Sequence, residues 1–301
     1  MIRFLAALFV FPLSLLPPKI IEAMGGGIGF LFIKFGFRQR IVRENFRRAF
    51  PDADAVFLRE LESKNYRHYG RLLLEFLRSF CGFGRFLERH CIIEGEENLR
   101  EALKKGKGVL VMTAHLGNWE VLPSHGSHVL KVPVTMVTKR LKPAWFHDLA
   151  EGARGSLGTR MAYEPRTLQT VLHALRRREI VGFAIDQFAG SPVGARVPFF
   201  DIPVGTNTVL AVLAQRTGAP VVPGFALRLP GGRFRIVFLP ELPVVQGKDE
   251  ASIIAATANY NLLVEEWVRK FPDQWMWIHR RWKGDLSPLS PGSVGEMMRP
   301  D

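Results

Sequence analysis

The pattern of apolar and polar positions changes texture near residue 106. Upstream, from 55 to 89, Phe57, Leu61, Tyr69, Leu72, Leu73, Phe76 and Leu77 recur every three or four residues. Arg59, Lys64, Arg67, Arg71 and Arg78 fill the other faces. That period predicts an amphipathic helix, started by Asp52 or Asp54 after Pro51. Downstream, short wholly apolar runs alternate with helical patterns. Residues 108–114, 132–138, 180–185, 220–227 and 234–239 read as buried strands, and 119–130, 143–155, 166–178 and 207–217 read as helices. In the third of these helices Leu168, Val171, Leu172 and Leu175 stand at i, i+3, i+4 and i+7. Apolar strands separated by helices predict an α/β fold, with a mostly parallel central sheet flanked by helices.

The N-terminal pattern is different. Residues 4–16 are an apolar run closed by Pro17-Pro18, short of the roughly 20 residues that a helix needs to span hydrocarbon. A second stretch, Ile28 to Phe37, contains Lys34 and runs into Arg38, Arg40, Arg43, Arg47 and Arg48. A signal peptide is one competing reading, but only Arg3 precedes the run and no small-x-small cleavage site follows cleanly. A core helix of a soluble protein is the other. The expected arrangement is an interfacial or re-entrant anchor with its arginines at lipid phosphates. If it crosses the bilayer, that basic flank places the rest of the chain in the cytoplasm. The expected organisation is a membrane-anchoring segment over 1–50 and a main domain over 51–301. The latter divides into a helical part at 51–105, an α/β core at 106–283 and a tail at 284–301.

Charge narrows the partners. The 301 residues carry 41 basic and 28 acidic side chains, a net +13, and the first 90 hold 15 basic against 8 acidic. Such an excess attracts anionic partners and says nothing about fold. Cations beside apolar surface point to a membrane before nucleic acid, and no recognition-helix or zinc-finger pattern is present. With 47% hydrophobic and 23% charged residues, the chain is not disordered. Its two cysteines, Cys81 and Cys91, exclude a disulfide scaffold and read as small buried hydrophobes in a reducing compartment.

Ligands of parallel sheets bind beyond the carboxyl ends of the strands, and two such ends are chemically loaded. One runs into His115-Leu116-Gly117-Asn118-Trp119-Glu120. The other runs into Asp186-Gln187, followed by a Gly/Pro-rich stretch to Thr206 without clear structure, the mark of a functional loop. On one helix, His115 and Glu120 would lie about 140° apart. They converge only if His115 sits in the turn and Glu120 in the first helical turn, with Asn118 as N-cap. Glu120 could then hold the imidazole in one tautomer and stabilise its cation, leaving a base that works at neutral pH. A structural histidine is the competing reading; the strand end followed by a cap favours chemistry.

Other chemistries fit poorly. Gly155-Ser156-Leu157-Gly158 lacks a glycine two residues before the serine, so there is no nucleophile elbow. His125 and His128 stand at i, i+3 without an obvious third ligand, so no metal is expected. Gly25-Gly26-Gly27-Ile28-Gly29 has no strand–helix context, there is no P-loop, and no cofactor is implied. What remains is a base that acts without metal or enzyme nucleophile, suited to direct transfer to a substrate hydroxyl.

At these residues a resemblance appears. His115 to Glu120 resembles the H-x4-D/E motif of glycerolipid-type acyltransferases. The form His-Leu-Gly-Asn-Trp-Glu is similar to the late, lauroyl- and myristoyl-transferring acyltransferases of lipid A biosynthesis. Asn45-Phe46-Arg47-Arg48-Ala49-Phe50-Pro51 is similar to an early motif of that family, and Asp186-Gln187 to its Asp-Gln. Val197-Pro198-Phe199-Phe200 with Thr206 is similar to its Pro-Phe-Phe loop, and Gly218-Ala219-Pro220 to its following turn. Trp277-Ile278-His279-Arg280-Arg281-Trp282-Lys283 is similar to its closing motif. The six pieces stand in the family's order over most of the chain.

The resemblance implies transfer of a fatty acyl chain from acyl carrier protein or acyl-CoA to a hydroxyl of a phosphorylated glycolipid, a lipid A precursor. The place it implies is the cytoplasmic face of the bacterial inner membrane. His115 would be the general base and Glu120 its partner, while Gly117, Asn118, Trp119, Asp186 and Gln187 would shape the acceptor pocket. Lys139-Arg140 stands where many relatives have one Arg followed by Pro, so either cation is a candidate to meet the acceptor. Asp201 stands where Gly is usual. Arg160 is a candidate to stabilise the thioester oxyanion. Arg280, Arg281 and Lys283 are candidate phosphate contacts, or a solvated basic end packed by Trp275, Trp277 and Trp282. Arg176-Arg177-Arg178 reads as a helix C-terminus complementing its dipole. Alternative acceptors are a lysophospholipid, a glycosylated phosphatidylinositol or an amino-acid lipid. The alternative from another class is a non-catalytic basic membrane-binding protein, against which the His115/Glu120 pair argues.

Overall fold

A computed structural model describes residues 11–13, 15–78, 90–128, 130–156, 158–247 and 249–284. Residues 4–10 of the first apolar run, residues 79–89 with Cys81, Leu157, the side chains of His125, His128 and Ser156, and the tail beyond Gly284 lie outside them.

The central strands are the most apolar ones. β2 (Val109–Thr113) and β5 (Ile180–Ala184) pair in parallel, flanked by β8 (Val221–Leu229) on one side and by β3 (Val134–Val137) and β4 (Thr159–Ala162) on the other. β9 (Arg233–Phe238) joins β8 antiparallel, and β1 (Cys91–Glu94) closes that edge in the order β1-β9-β8-β2-β5-β3-β4. The sheet is thus mixed and mostly parallel, as the apolar runs predict. Side-chain alternation splits its core in two. Leu110, Met112 and Ala114 face one cluster, Val109 and Val111 the other. The second cluster is covered by α4 (Glu96–Lys104) and α5 (Val121–His128). The first is covered by α7 (Thr167–Arg176), α8 (Val209–Thr217), α9 (Glu250–Lys270) and the indoles of Trp275, Trp277 and Trp282. α6 (Ala144–Ser156) packs beside β4.

Four expectations need correction. The stretch between Asp186 and Thr206 is ordered by an antiparallel hairpin, β6 (Gly194–Phe199) and β7 (Ile202–Asn207). Its two-residue turn puts Phe200 and Asp201 at φ 52° and 58°, the left-handed pair that a tight hairpin turn requires. The Phe200 amide donates to Glu265, and Arg269 lies 4.3 Å over its ring, so tertiary contacts hold a conformation that glycine would adopt freely. Second, α9 was not foreseen: its buried face mixes Thr257, Asn261 and Glu265 with Val264 and Trp267, which blunts the apolar period. Third, Leu168 is exposed, while Val171 and Leu175 are buried. Fourth, Cys91 is half-buried, not buried, and burial raises its thiol to about 12.

The N-terminal glycines are packing devices. α1 (Pro18–Lys34) lies against α3 (Ala55–Arg78), which starts where the Asp54 carboxylate accepts from the Phe57 amide at 2.7 Å. A Cβ on Gly70 would come 1.9 Å from the Gly25 carbonyl oxygen, and one on Gly29 2.4 Å from that of Tyr66. Only glycine lets these backbones approach so closely. From α2 (Gln39–Ala49), Asn45 donates to the carbonyls of Trp277 and His279 at 2.7 and 2.8 Å. Contacts therefore cross the expected boundary at residue 50. No single described helix is long and apolar enough to cross a membrane; α1 and α2 together pass that test but bend by 95°. The outward side of α1 and the turn after it exposes Ile20, Met24, Phe30, Leu31, Phe35 and Phe37.

Candidate active site

β2 and β5 lie side by side with Thr113 opposite Ala184, so the residues two beyond each, His115 and Asp186, emerge together at the carboxyl edge. The His115 ring Nδ1 stands 2.8 Å from Asp186 Oδ1. The second oxygen accepts from the His115 amide at 2.9 Å and from the Trp275 indole at 2.8 Å. Burial alone would raise the Asp186 carboxyl. The facing His115 ring, its two hydrogen bonds and that from Trp275 outweigh burial and hold it below the usual carboxylate range. An ionised carboxylate only accepts, so Nδ1 donates to it, and whenever the ring is neutral the lone pair is left on Nε2. Gln187 Nε2 stands 3.4 Å from that Nε2, and the Trp119 ring meets the imidazole edge-on at 5.0 Å.

Glu120 does not meet His115 in this way. Its carboxylate grips Arg154 of α6 with contacts of 2.9 and 2.5 Å, both side chains being 17% exposed. The predicted cap is present, since Asn118 Oδ1 accepts from the Glu120 amide at 3.2 Å. That turn directs Glu120 toward α6, and the carboxylate opposite the imidazole comes from the neighbouring strand. The sequence places Asp186 in the pocket but does not show its pairing with His115. The signal lay in register, because two adjacent parallel strands each end two residues before a polar group.

The backbone between His115 and Glu120 is sewn down. Gly117 has φ +66°, and a Cβ there would come 2.0 Å from the Ala226 carbonyl oxygen. The Gly117 amide donates to Gln274 O at 3.0 Å and the Asn118 amide to Ala226 O at 2.7 Å. Asn118 Nδ2 donates to Glu75 Oε2 at 2.8 Å. Glu75 in turn accepts from both terminal guanidinium nitrogens of Arg228, whose Nε donates to His68 Nδ1 at 3.4 Å. Burial, then the charges of Arg228 and Arg71, push His68 well below its ordinary value. Nothing in the sequence marks Glu75, His68 and Arg154 on their helices, or Arg228 on β8, as site residues, because no local pattern tells a helix or strand position that it faces a distant loop.

The closing motif has a different role from the expected one. Arg281 is fully buried and donates to Gly205 O at 2.7 Å, Thr206 Oγ1 at 2.6 Å and Asn261 Oδ1 at 3.2 Å. It fastens the β6–β7 hairpin to α9 and offers no phosphate contact, whereas Arg280 and Lys283 are exposed. His279 Nε2 accepts from the Phe188 amide at 3.3 Å, and burial lowers this imidazole to about 4. Arg160 lies near the amino end of its strand, opposite Thr135, and holds Glu179 at 3.1 Å. It is thus at the far end of the sheet from His115 and cannot meet an oxyanion there. Lys139 and Arg140 are exposed just beyond β3, with Arg140 5.0 Å over the Tyr163 ring. Arg176 ends α7, and Arg177 pairs with Glu179 at 2.9 Å.

The family model described as bacterial lipid A biosynthesis acyltransferase matches residues 1–284. The chain is 27% identical to the lipid A biosynthesis lauroyltransferase of Escherichia coli, covering 89% of this chain and 87% of that protein. It is 26% identical to the lipid A biosynthesis palmitoleoyltransferase of the same organism, with 89% and 86% covered. The phosphatidylinositol mannoside acyltransferase of Mycobacterium tuberculosis is also 26% identical, with 82% and 78% covered.

Proposed function

Because the chain belongs to the bacterial lipid A biosynthesis acyltransferase family, and so is an acyltransferase, we propose that it moves a fatty acyl chain from a carrier thioester to a hydroxyl of a lipid A precursor. The supporting observation is the His115–Asp186 contact at the carboxyl edge of the central strands. In this reading the acceptor hydroxyl approaches His115 Nε2, displacing the Gln187 amide. Its proton passes to Nε2 as its oxygen attacks the thioester carbonyl. The buried Asp186 carboxylate stabilises the imidazolium so formed. Collapse of the tetrahedral intermediate breaks the carbon–sulfur bond, and the imidazolium returns its proton to the thiolate. Glu120 contributes by holding Arg154 and the turn, and not by touching the imidazole.

The donor is acyl carrier protein or acyl-CoA, both anionic, and the acceptor carries phosphate, which suits the net +13. Membrane association at the cytoplasmic face of the inner membrane is supported by the exposed apolar side of α1 next to Arg38, Arg40, Arg43 and Arg47. The likeness to a phosphatidylinositol mannoside acyltransferase favours a glycosylated phosphatidylinositol as the second acceptor to assay. The test is mass spectrometry of products from purified full-length protein, an acyl donor and each acceptor. Acylated lipid A precursor with the wild type and none with folded His115→Ala supports the reading. Equal turnover by His115→Ala overturns the mechanism, and transfer only to another acceptor overturns the substrate.

A further inference from the structure

A groove of about 460 Å³ runs between α1 and α3, within the size range of small-molecule sites. Lys19, Arg67 and Arg71 line it, with Glu22 as the only carboxylate among its lining residues. Glu22 pairs with Arg71 at 3.1 Å. Lys19 and Arg67 make no ion pair or hydrogen bond among the described residues, and both are exposed. Three cations against one carboxylate leave the groove positive. Burial lowers the Arg71 guanidinium, Glu22 and Glu75 oppose this, and the charges of Arg228 and Arg67 add to it. The rest of the wall is Ser63 with Ala23, Gly26, Phe30 and Ile33. Gly26 leaves open space where a side chain would stand, and Phe30 is 63% exposed at the rim. From Phe30 the surface continues onto the outward apolar side of α1, where Ile20, Met24 and Leu31 are exposed.

We propose that this groove seats the phosphate headgroup of one anionic membrane phospholipid, with its acyl chains lying along the apolar side of α1. Two cations free to meet a phosphate, a shallow pocket and a contiguous apolar exit fit an amphiphile better than a free ion, which has no use for the apolar exit. No groove residue is a hydrogen-bond partner of His115 or Asp186, and the variants below leave Arg71, whose charge reaches His68, in place. Surface charge alone would act through Lys19 and Arg67 whatever the shape between them; a seat also requires the space at Gly26.

The experiment is native mass spectrometry of full-length protein from neutral detergent, titrated with phosphatidylglycerol or phosphatidylcholine. Wild type is expected to retain one phosphatidylglycerol per chain in preference to phosphatidylcholine. Lys19→Gln/Arg67→Gln and, separately, Gly26→Leu are each expected to weaken that retention about tenfold or more. Arg176→Gln/Arg178→Gln, which removes the same two charges at and just beyond the end of α7, is expected to leave it unchanged. Gly26→Leu is a demanding variant because it alters no charge, meets no neighbouring atom within 4 Å at Cβ and favours helix. Equal retention of both lipids by the wild type overturns the proposal. So does retention that survives Gly26→Leu, or displacement of the lipid by an equal concentration of inorganic phosphate. The assay needs neither acyl donor nor acceptor, so its failure leaves the reading of His115 standing, and failure of transfer leaves the groove standing.

Discussion

Asp186 holds His115 at two points, accepting from the ring at 2.8 Å and from the backbone amide at 2.9 Å. One buried carboxylate thus fixes both the tautomer and the place of the imidazole. A third lone-pair direction goes to the Trp275 indole, so the carboxylate cannot rotate away without leaving a buried donor unpaired.

Asp186→Asn keeps the volume but exchanges an acceptor for an amide that cannot stabilise the imidazolium. Turnover is expected to fall about 10²–10⁴-fold. Glu120→Gln, which weakens the pairing with Arg154 and leaves the Nδ1 contact intact, is expected to cost less. Steady-state rates of the two purified variants decide it. A larger loss in Glu120→Gln would make Glu120 the primary partner after all.

Stability is expected to fall as pH drops from about 6.5 toward about 4. Burial lowers His279 to about 4 from its ordinary 6.5, so in that window the unfolded chain takes up a proton that the folded chain refuses. His279→Gln keeps an acceptor for the Phe188 amide and removes the titration, and its melting temperature should fall less steeply over the same window. Some slope should persist, because His68 is also held well below its ordinary value. Identical slopes for the two proteins would show that His279 does not contribute.

Glu75 and Arg228 are 6% and 7% exposed as side chains, and removing one charge strands the other. Glu75→Gln is expected to destabilise by about 3–5 kcal/mol, measured by urea unfolding in detergent. Glu75→Leu/Arg228→Met should recover much of that stability. Activity should not recover with it, because Asn118 still lacks the acceptor that holds its turn. Full turnover in the double variant would show that the network serves folding alone.

The glycines of the first helix pair should respond oppositely. Gly70→Ala forces a methyl group against the Gly25 carbonyl and is expected to lower the melting temperature. Gly27 has nothing within 4 Å, so Gly27→Ala is expected to stabilise by up to about 1 kcal/mol. Differential scanning fluorimetry of both variants reads the contrast directly.

By itself the sequence determined the strands that are apolar throughout, because residues 109–113 and 180–184 have both faces buried and need no knowledge of their neighbours. It also determined the turn at Asn118, a local matter of one side chain and the next amides, and the chemistry concentrated at His115 and Asp186. Only the tertiary structure decided which carboxylate serves the histidine. Five residues of spacing made Glu120 the near candidate, but strand adjacency brings Asp186 across 71 residues of chain, and strand order is not written in any local pattern. The same holds for Arg281, whose charge reads as surface from the sequence alone. In the fold it is buried, because Thr206, Asn261 and the Gly205 carbonyl converge on it. It holds for Gly25 and Gly29 too, since a glycine announces freedom of the backbone, and only a second helix lying against it turns that freedom into a close approach.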